Sequence, residues 1–241
     1  MTDQPGPEAV PPGLPPLWPV SQSAFQPSRR SPSREELRAS LPERPVVAEA
    51  DAAAAKAFPA DGELEYERSV IRIPFVLKGR EETSAVDVMT FDAYMRLLRE
   101  PAIRNGLGLR QFEFYIDAWE LTNTFSQGLN AHVTFTLSDV IQPKSICYAN
   151  QRGADFPATI VYNAIYDVYV GAERIIEKQP GTAIATPVRQ IPPRNVTVAF
   201  EKPFDSDVFA FSAGTCEGMR SITADEFQRG ALQARRVRGI A

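Results

Sequence analysis

The chain has 241 residues, a formal charge of −4 and 44% hydrophobic residues. That length holds one large or two small domains, and so mild a charge speaks against a general nucleic-acid or acidic-membrane binder. Only two cysteines occur, Cys147 and Cys216, without ligand-like spacing; no basic leader follows Met1 and no apolar run reaches the ~18 residues of a membrane span, so the expected location is the cytoplasm.

Proline divides the chain. Twelve of its 21 prolines fall before residue 60, so residues 1–60 are expected to form an extended proline- and alanine-rich arm without a core of its own. Pro11 to Val20 favours the stiff polyproline conformation and contains two P-x-x-P spacings. Within it Leu14, Leu17 and Trp18 are unusually apolar for a solvating tail. They are the candidate anchors for a protein partner or a sister subunit, tryptophan being a common hot-spot residue. Ser33-Arg34-Glu35-Glu36 has capping-box spacing for a short helix to Leu41, and Ala48 to Phe58 is a second, alanine-rich helical candidate.

Residues 61–241 read as a β-rich domain. Glu63 to Lys78 is strand-like, but its apolar parity changes near Ser69, which predicts a bulge or a strand that changes sheets. Thr90 resembles an N-cap, with Phe91, Tyr94, Met95 and Leu98 at helical spacing as far as Pro101. Strands are then expected at Gln111–Leu121, Asn130–Val140, Lys144–Ala149, Ala158–Val170, Val188–Ile191, Asn195–Glu201 and Asp207–Ala213. Thr223-x-x-Glu226 caps a last helix running to about Arg236. About eight short strands at this spacing, with one short internal helix, predict an antiparallel β-sandwich of jelly-roll or immunoglobulin-like type.

Two constellations carry candidate chemistry. Gly214-Thr215-Cys216-Glu217-Gly218 has the glycine-flanked form of a nucleophile elbow, with Cys216 in the serine position. The only histidine, His132, precedes it, and the parallel strands and crossover helices of that fold are missing; a turn with a bystander thiol is the favoured account. The second is a hairpin face. Pairing Ile116 with Phe135 sets Trp119 across from His132 and Asp117 across from Thr134, with Glu113 on the same surface. Glu113, Asp117, Trp119 and His132 are therefore the candidate ligand-binding set, for a sugar or other small molecule. Glu113 and Asp117 would stand about 13–14 Å apart, too far for a glycosidase acid pair.

No catalytic set, metal site or cofactor fingerprint emerges: one histidine cannot build a typical zinc site, and no calcium loop or phosphate loop is present. The expected function is therefore non-enzymatic, a binding or assembly protein whose arm docks on a partner or on a second copy. The alternative is a small-molecule or carbohydrate-binding module, with or without catalysis, on the hairpin face. Neither nucleic acid nor membrane is an expected partner. The dominance of arginine over lysine, 21 of 26, fits a GC-rich bacterial genome.

Overall fold

Alternating side chains in the second part of the chain generate a run of long strands: β1 (Glu63–Leu77), β2 (Val86–Arg99), the two-residue β3 (Ile103–Arg104), β4 (Arg110–Asn123), β5 (Val133–Leu137), β6 (Lys144–Ala149), β7 (Ala158–Val170), β8 (Glu173–Val188), β9 (Val196–Asp205) and β10 (Phe209–Ser221). One helix, α1 (Ala224–Val237), ends the domain. The computed structural model describes residues 38–39, 41–43, 57–78, 86–123 and 125–238, all within the compact unit that begins at Arg34. The arm residues Leu14, Leu17 and Trp18 lie outside the described residues, as do nearly all of the two short helical segments expected between Ser33 and Phe58. Among the described residues no helix is long and apolar enough to cross a membrane.

The strands close on themselves. Neighbours run β2-β1-β10-β9-β8-β7-β5-β4, and β4 then pairs with β2, every pairing being antiparallel. The result is an eight-position barrel, not the expected sandwich. Alternation reports that one face of each strand is buried; it does not say whether a sheet stacks on a second sheet or curls round to meet its own edge. The β2–β4 pairing decides the matter, running from Phe91 opposite Asn123 to Arg99 opposite Phe114. One ring position is shared by β5 and β6, which both bridge β4 and β7. Glu120 pairs with Thr136 but Tyr115 with Lys144, so five steps along β4 face eight along the β5–β6 line. The excess is taken up by the connection between the two short strands.

The expected internal helix at 90–101 is instead part of β2. Phe91, Ala93, Met95 and Leu97 face the barrel interior, whereas Tyr94 lies in a second cluster on the outer face. A strand buried on both faces carries apolar residues on both parities, and Phe91, Tyr94, Met95 and Leu98 then mimic helical spacing. A β8 strand over Glu173–Val188 replaces the short strand expected at Val188–Ile191; its largely exposed, polar sequence hid it.

Helix α1 covers the outer face of β1, β2 and β4. Thr223 Oγ1 accepts from the Glu226 amide at 3.2 Å, and Phe227 packs with Tyr94 and Ile222 in that outer cluster. Gly230 sits against the Tyr94 ring, where an added Cβ would come within 2.2 Å of Cε1. Alanine in a helix is ordinarily favoured over glycine by roughly 1 kcal/mol. Here the order is expected to reverse: Gly230→Ala lowers the midpoint of thermal unfolding, because the helix must lift off Tyr94. An unchanged or raised midpoint would show that α1 is not seated this way.

Candidate functional site

The structure separates the four hairpin residues. Leu121, not Ile116, stands opposite Phe135, and Glu113 pairs with Ile146 of β6. A bulge in β4 causes the rest: Arg96 faces Ala118 while Leu97 faces Ile116, leaving Asp117 as the extra residue and reversing the side-chain phase beyond it. Asp117 therefore points outward, where Arg38 holds both carboxylate oxygens at 2.8 and 2.6 Å and Arg96 Nε donates at 2.6 Å. Trp119 points inward, its ring 5.9 Å from that of Tyr166. Glu113 is partly exposed and bonded to Lys144 Nζ at 2.6 Å. His132 stacks edge-on against Phe125 in the loop before β5. The four do not share a surface.

Cys216 is likewise not on a turn. The segment Gly214 to Gly218 lies inside β10, with Gly214 opposite Val198 and Cys216 opposite Val196 and Ile71. The glycines serve the strand: Gly218 has φ +58° within a bulge at which three steps of β10, from Glu217 to Arg220, pass two of β1. Cys216 is 2% exposed, and burial pushes its thiol up to about 11. Cys147, in β6, is raised to about 12 by the same cause.

What the barrel does bring together is an apolar chamber. Its wall includes Ile71 and Ile73 (β1), Met95 (β2), Ile116 and Trp119 (β4), Tyr162 and Tyr166 (β7), Val198 and Phe200 (β9), and Cys216 and Met219 (β10), enclosing about 100 Å³ of free volume. Small residues leave the room: Ala164, Gly181, Ala183 and Gly214 all line it. Gly181 is needed where it stands, since a Cβ would meet the Tyr166 ring at 2.7 Å.

One end of the interior is charged. The β1–β2 register is unbroken from Glu63–Arg99 to Val76–Val86, so Glu63, Glu65, Glu67 and Ser69 share the inward face with Ile71 and Ile73. Arg99 is the buried cation for all three glutamates. It donates to Glu63 at 2.9 Å and to Glu67 Oε1 at 2.6 Å, and forms a close ion pair with Glu65. Ser221 Oγ donates to Glu65 Oε1 at 2.5 Å. Phe58 closes this end, edge-on to Phe112 and Phe156. Burial, and then the charge of Glu65, push the Glu67 carboxyl up to about 8, although Arg99 opposes the shift. Burial raises the Tyr162 hydroxyl well above its usual range, with Glu67 adding to it. Among the described residues no group of three or more histidine, cysteine or acidic side chains is arranged to hold a metal ion.

The interior glutamates, Arg99 and the two tyrosines were not among the residues that the sequence marked. The signal was the parity change near Ser69. It comes from no bulge in β1; the inward positions simply turn from apolar to acidic, while Leu64 and Tyr66 are apolar on the outer face.

Two measurements test this arrangement. Glu67 gains its proton affinity on folding, so the neutral form favours the folded state, and stability falls as pH rises from the ordinary carboxylate range through about 8. The neutral variant Glu67→Gln is expected to lose much of that decline; parallel unfolding midpoints for both proteins from pH 5 to pH 9 would contradict it. Both thiols should resist a disulfide reagent at pH 7.5 in the native protein and react at once on unfolding. Fast native labelling would mean that Cys216 is reachable and ionised.

No family model and no curated protein sequence matches this chain. Among solved structures it is similar to that of DynF from the dynemicin biosynthesis pathway of Micromonospora chersina, at 14% identity and a TM-score of 0.56, over 82% of this chain and 95% of DynF. At that identity the likeness concerns the fold, and it agrees with a barrel in place of the expected sandwich.

Proposed function

We propose that the chain binds an apolar small molecule inside its barrel. The observation that carries this reading is the chamber itself: about 100 Å³ of free volume, walled by aliphatic, aromatic and thioether side chains and by four alanines and glycines. An eight-stranded barrel can fill its interior with side chains or hold one small ligand. Side chains fill this one at the Phe75–Phe209 end, and at the other end up to Phe58, yet not between them. An apolar cavity of roughly 150 Å³ stays dry and holds a benzene-sized molecule, so a chamber of this size suits a compact apolar ligand. A closed ring also makes a rigid, preformed container, so little ordering cost falls on binding. DynF, to which the barrel is similar, comes from a biosynthetic pathway. The cytoplasmic setting belongs to the same reading, supported by two buried cysteines held as free thiols.

The expected behaviour is saturable uptake of a small neutral apolar probe, toluene, by the full chain carrying Trp18→Phe, so that the emission of Trp119 alone reports on the interior. Ala164 lies on the chamber wall, and Ala164→Phe should reduce uptake by about tenfold or more, since the ring occupies the space the ligand needs. Uptake that is equal in a folded Ala164→Phe protein, or that never saturates, would place the probe outside the barrel and overturn the proposal.

A further inference from the structure

The barrel wall is interrupted in two places beside the chamber, and only one of them is sealed. Along β4, the residues from Ile116 to Trp119 have no ladder partner on the β5–β6 side, where the chain passes from one short strand to the other. Gln142 closes that break. It is 2% exposed; its amide donates to the carbonyls of Ser138 and Ile165 at 3.0 and 3.1 Å, and its Oε1 accepts from the Ile165 amide at 2.9 Å. A side chain thus supplies the bonds of the missing strand.

The second break lies between β8 and β9. These strands have 16 and 10 residues, yet they pair only from Ala183–Phe200 to Ala185–Val198. Beyond Ala183 the two edges part. On its other side β9 also leaves its neighbour: five of its steps, from Ala199 to Phe204, pass two of β10, from Ala213 to Phe211. Glu201, Lys202 and Pro203 therefore have no ladder partner on either side among the described residues. All three are exposed, as are the four β8 residues 177–180. In a closed wall every second residue is turned inward, so consecutive exposed residues mean that both faces of these edges are open. Among the described residues no hydrogen bond or ion pair spans the gap. Nor are the edges suited to an added strand, since Pro180 and Pro203 carry no N–H and Lys178 and Lys202 place charge there.

The apex of this gap is chamber wall. Gly181, Ala183 and Phe200, which stand where the edges part, all line the chamber and are only partly buried, whereas Ile73, Met95 and Ile116 of its wall are buried. The two ends of the barrel offer no such path: Phe75 meets Phe209 at one, and Phe58 and the ion cluster around Arg99 occupy the other. We propose that the gap between β8 and β9 is the mouth of the chamber and that the Phe200 ring is its gate. This rests on the apolar-ligand reading above and adds the route by which that ligand enters and leaves. Phe200 is the last β9 residue paired to β8, and the three residues after it hold no ladder bonds, so the backbone beside it can shift without breaking sheet pairing. Its ring rests edge-on against Phe211, centroids 5.1 Å apart, a contact that opens without exposing an unpaired polar group. The other seams would have to break ladders, such as the unbroken run from Glu63–Arg99 to Val76–Val86.

The test locks the mouth and reads the rates of passage. In the full chain carrying Thr182→Cys and Glu201→Cys, the two new thiols stand one step beyond the Ala183–Phe200 pair, where a disulfide extends the seam across the gap. Fluorobenzene, close in size to toluene, is the probe. Its association and release are measured by fluorine NMR exchange before oxidation with diamide, after it, and again after dithiothreitol. A barrier raised on the route slows both directions alike, so both rates should fall about tenfold or more while Kd stays within about twofold. Reduction should restore them. Phe200→Ala removes the gate and should raise the association rate by about tenfold; it decides the question alone if the two cysteines do not couple. Rates untouched by the disulfide, or an association rate untouched by Phe200→Ala, overturn the proposal and leave the apolar-ligand reading standing. If fluorobenzene does not bind the unaltered chain, that reading falls and the mouth falls with it.

Discussion

The pairing of β2 with β4 is the contact on which everything else depends. Without it the strands form an open sheet with two free edges; with it the sheet has an inside and an outside. Closure buries β2 from both directions, by the chamber on one face and α1 on the other. It also explains the bulge at Asp117. The two strands meet over nine pairs, from Phe91–Asn123 to Arg99–Phe114, with one surplus residue on β4. Ejecting Asp117 from the alternation allows Ile116 and Trp119 both to face inward, and Arg96 and Arg38 neutralise the residue that is ejected.

Once the ring is closed, its interior can be followed as layers along β1. Glu63, Glu65 and Glu67 form a polar layer against Arg99, Ile71 and Ile73 border the chamber, and Phe75 meets Phe209 beyond it. Each layer depends on residue size as well as polarity. Phe204, Phe209 and Phe211 stack with centroids 4.7 to 6.2 Å apart and fill their end; alanines and glycines at positions 164, 181, 183 and 214 leave the middle open. The polar layer is more than a chance of composition, because each acidic residue has a stated partner in Arg99, and Glu65 has Ser221 as well.

Much of the wall was legible in the residues themselves. The extents of β6 and β7 follow directly from alternation and flanking turn residues, and Thr223-x-x-Glu226 marks the start of α1. The ring was not legible, because closure is a long-range pairing between two strands whose own patterns are silent about it. β2 was misread since double-sided burial erases the period-two signal, and β8 was missed since exposure does the same. For the site, the hairpin register went astray at a single residue: without the Asp117 bulge, Trp119 falls on the outer face beside Asp117. The break in alternation at Ser69 was visible, but its meaning was not. Acidic residues on an inward parity are normally a reason to doubt that the parity is inward at all.

That reversal is the most informative feature of the chain. Burying an ion cluster is a poor way to stabilise a fold: desolvation offsets most of the attraction, and well-packed apolar residues often serve as well or better. Nothing in the backbone of β1 demands acid at 65 and 67, for the same strand places isoleucine and phenylalanine at the equivalent inward positions 71, 73 and 75. With Glu67 kept neutral at physiological pH by its own burial and by the charge of Glu65, the cluster contributes one strong network around Arg99 in which the Glu65 and Glu67 side chains also meet. Stability alone selects for none of this. An apolar chamber beside a buried acidic layer is therefore an arrangement that the packing of the barrel does not by itself call for.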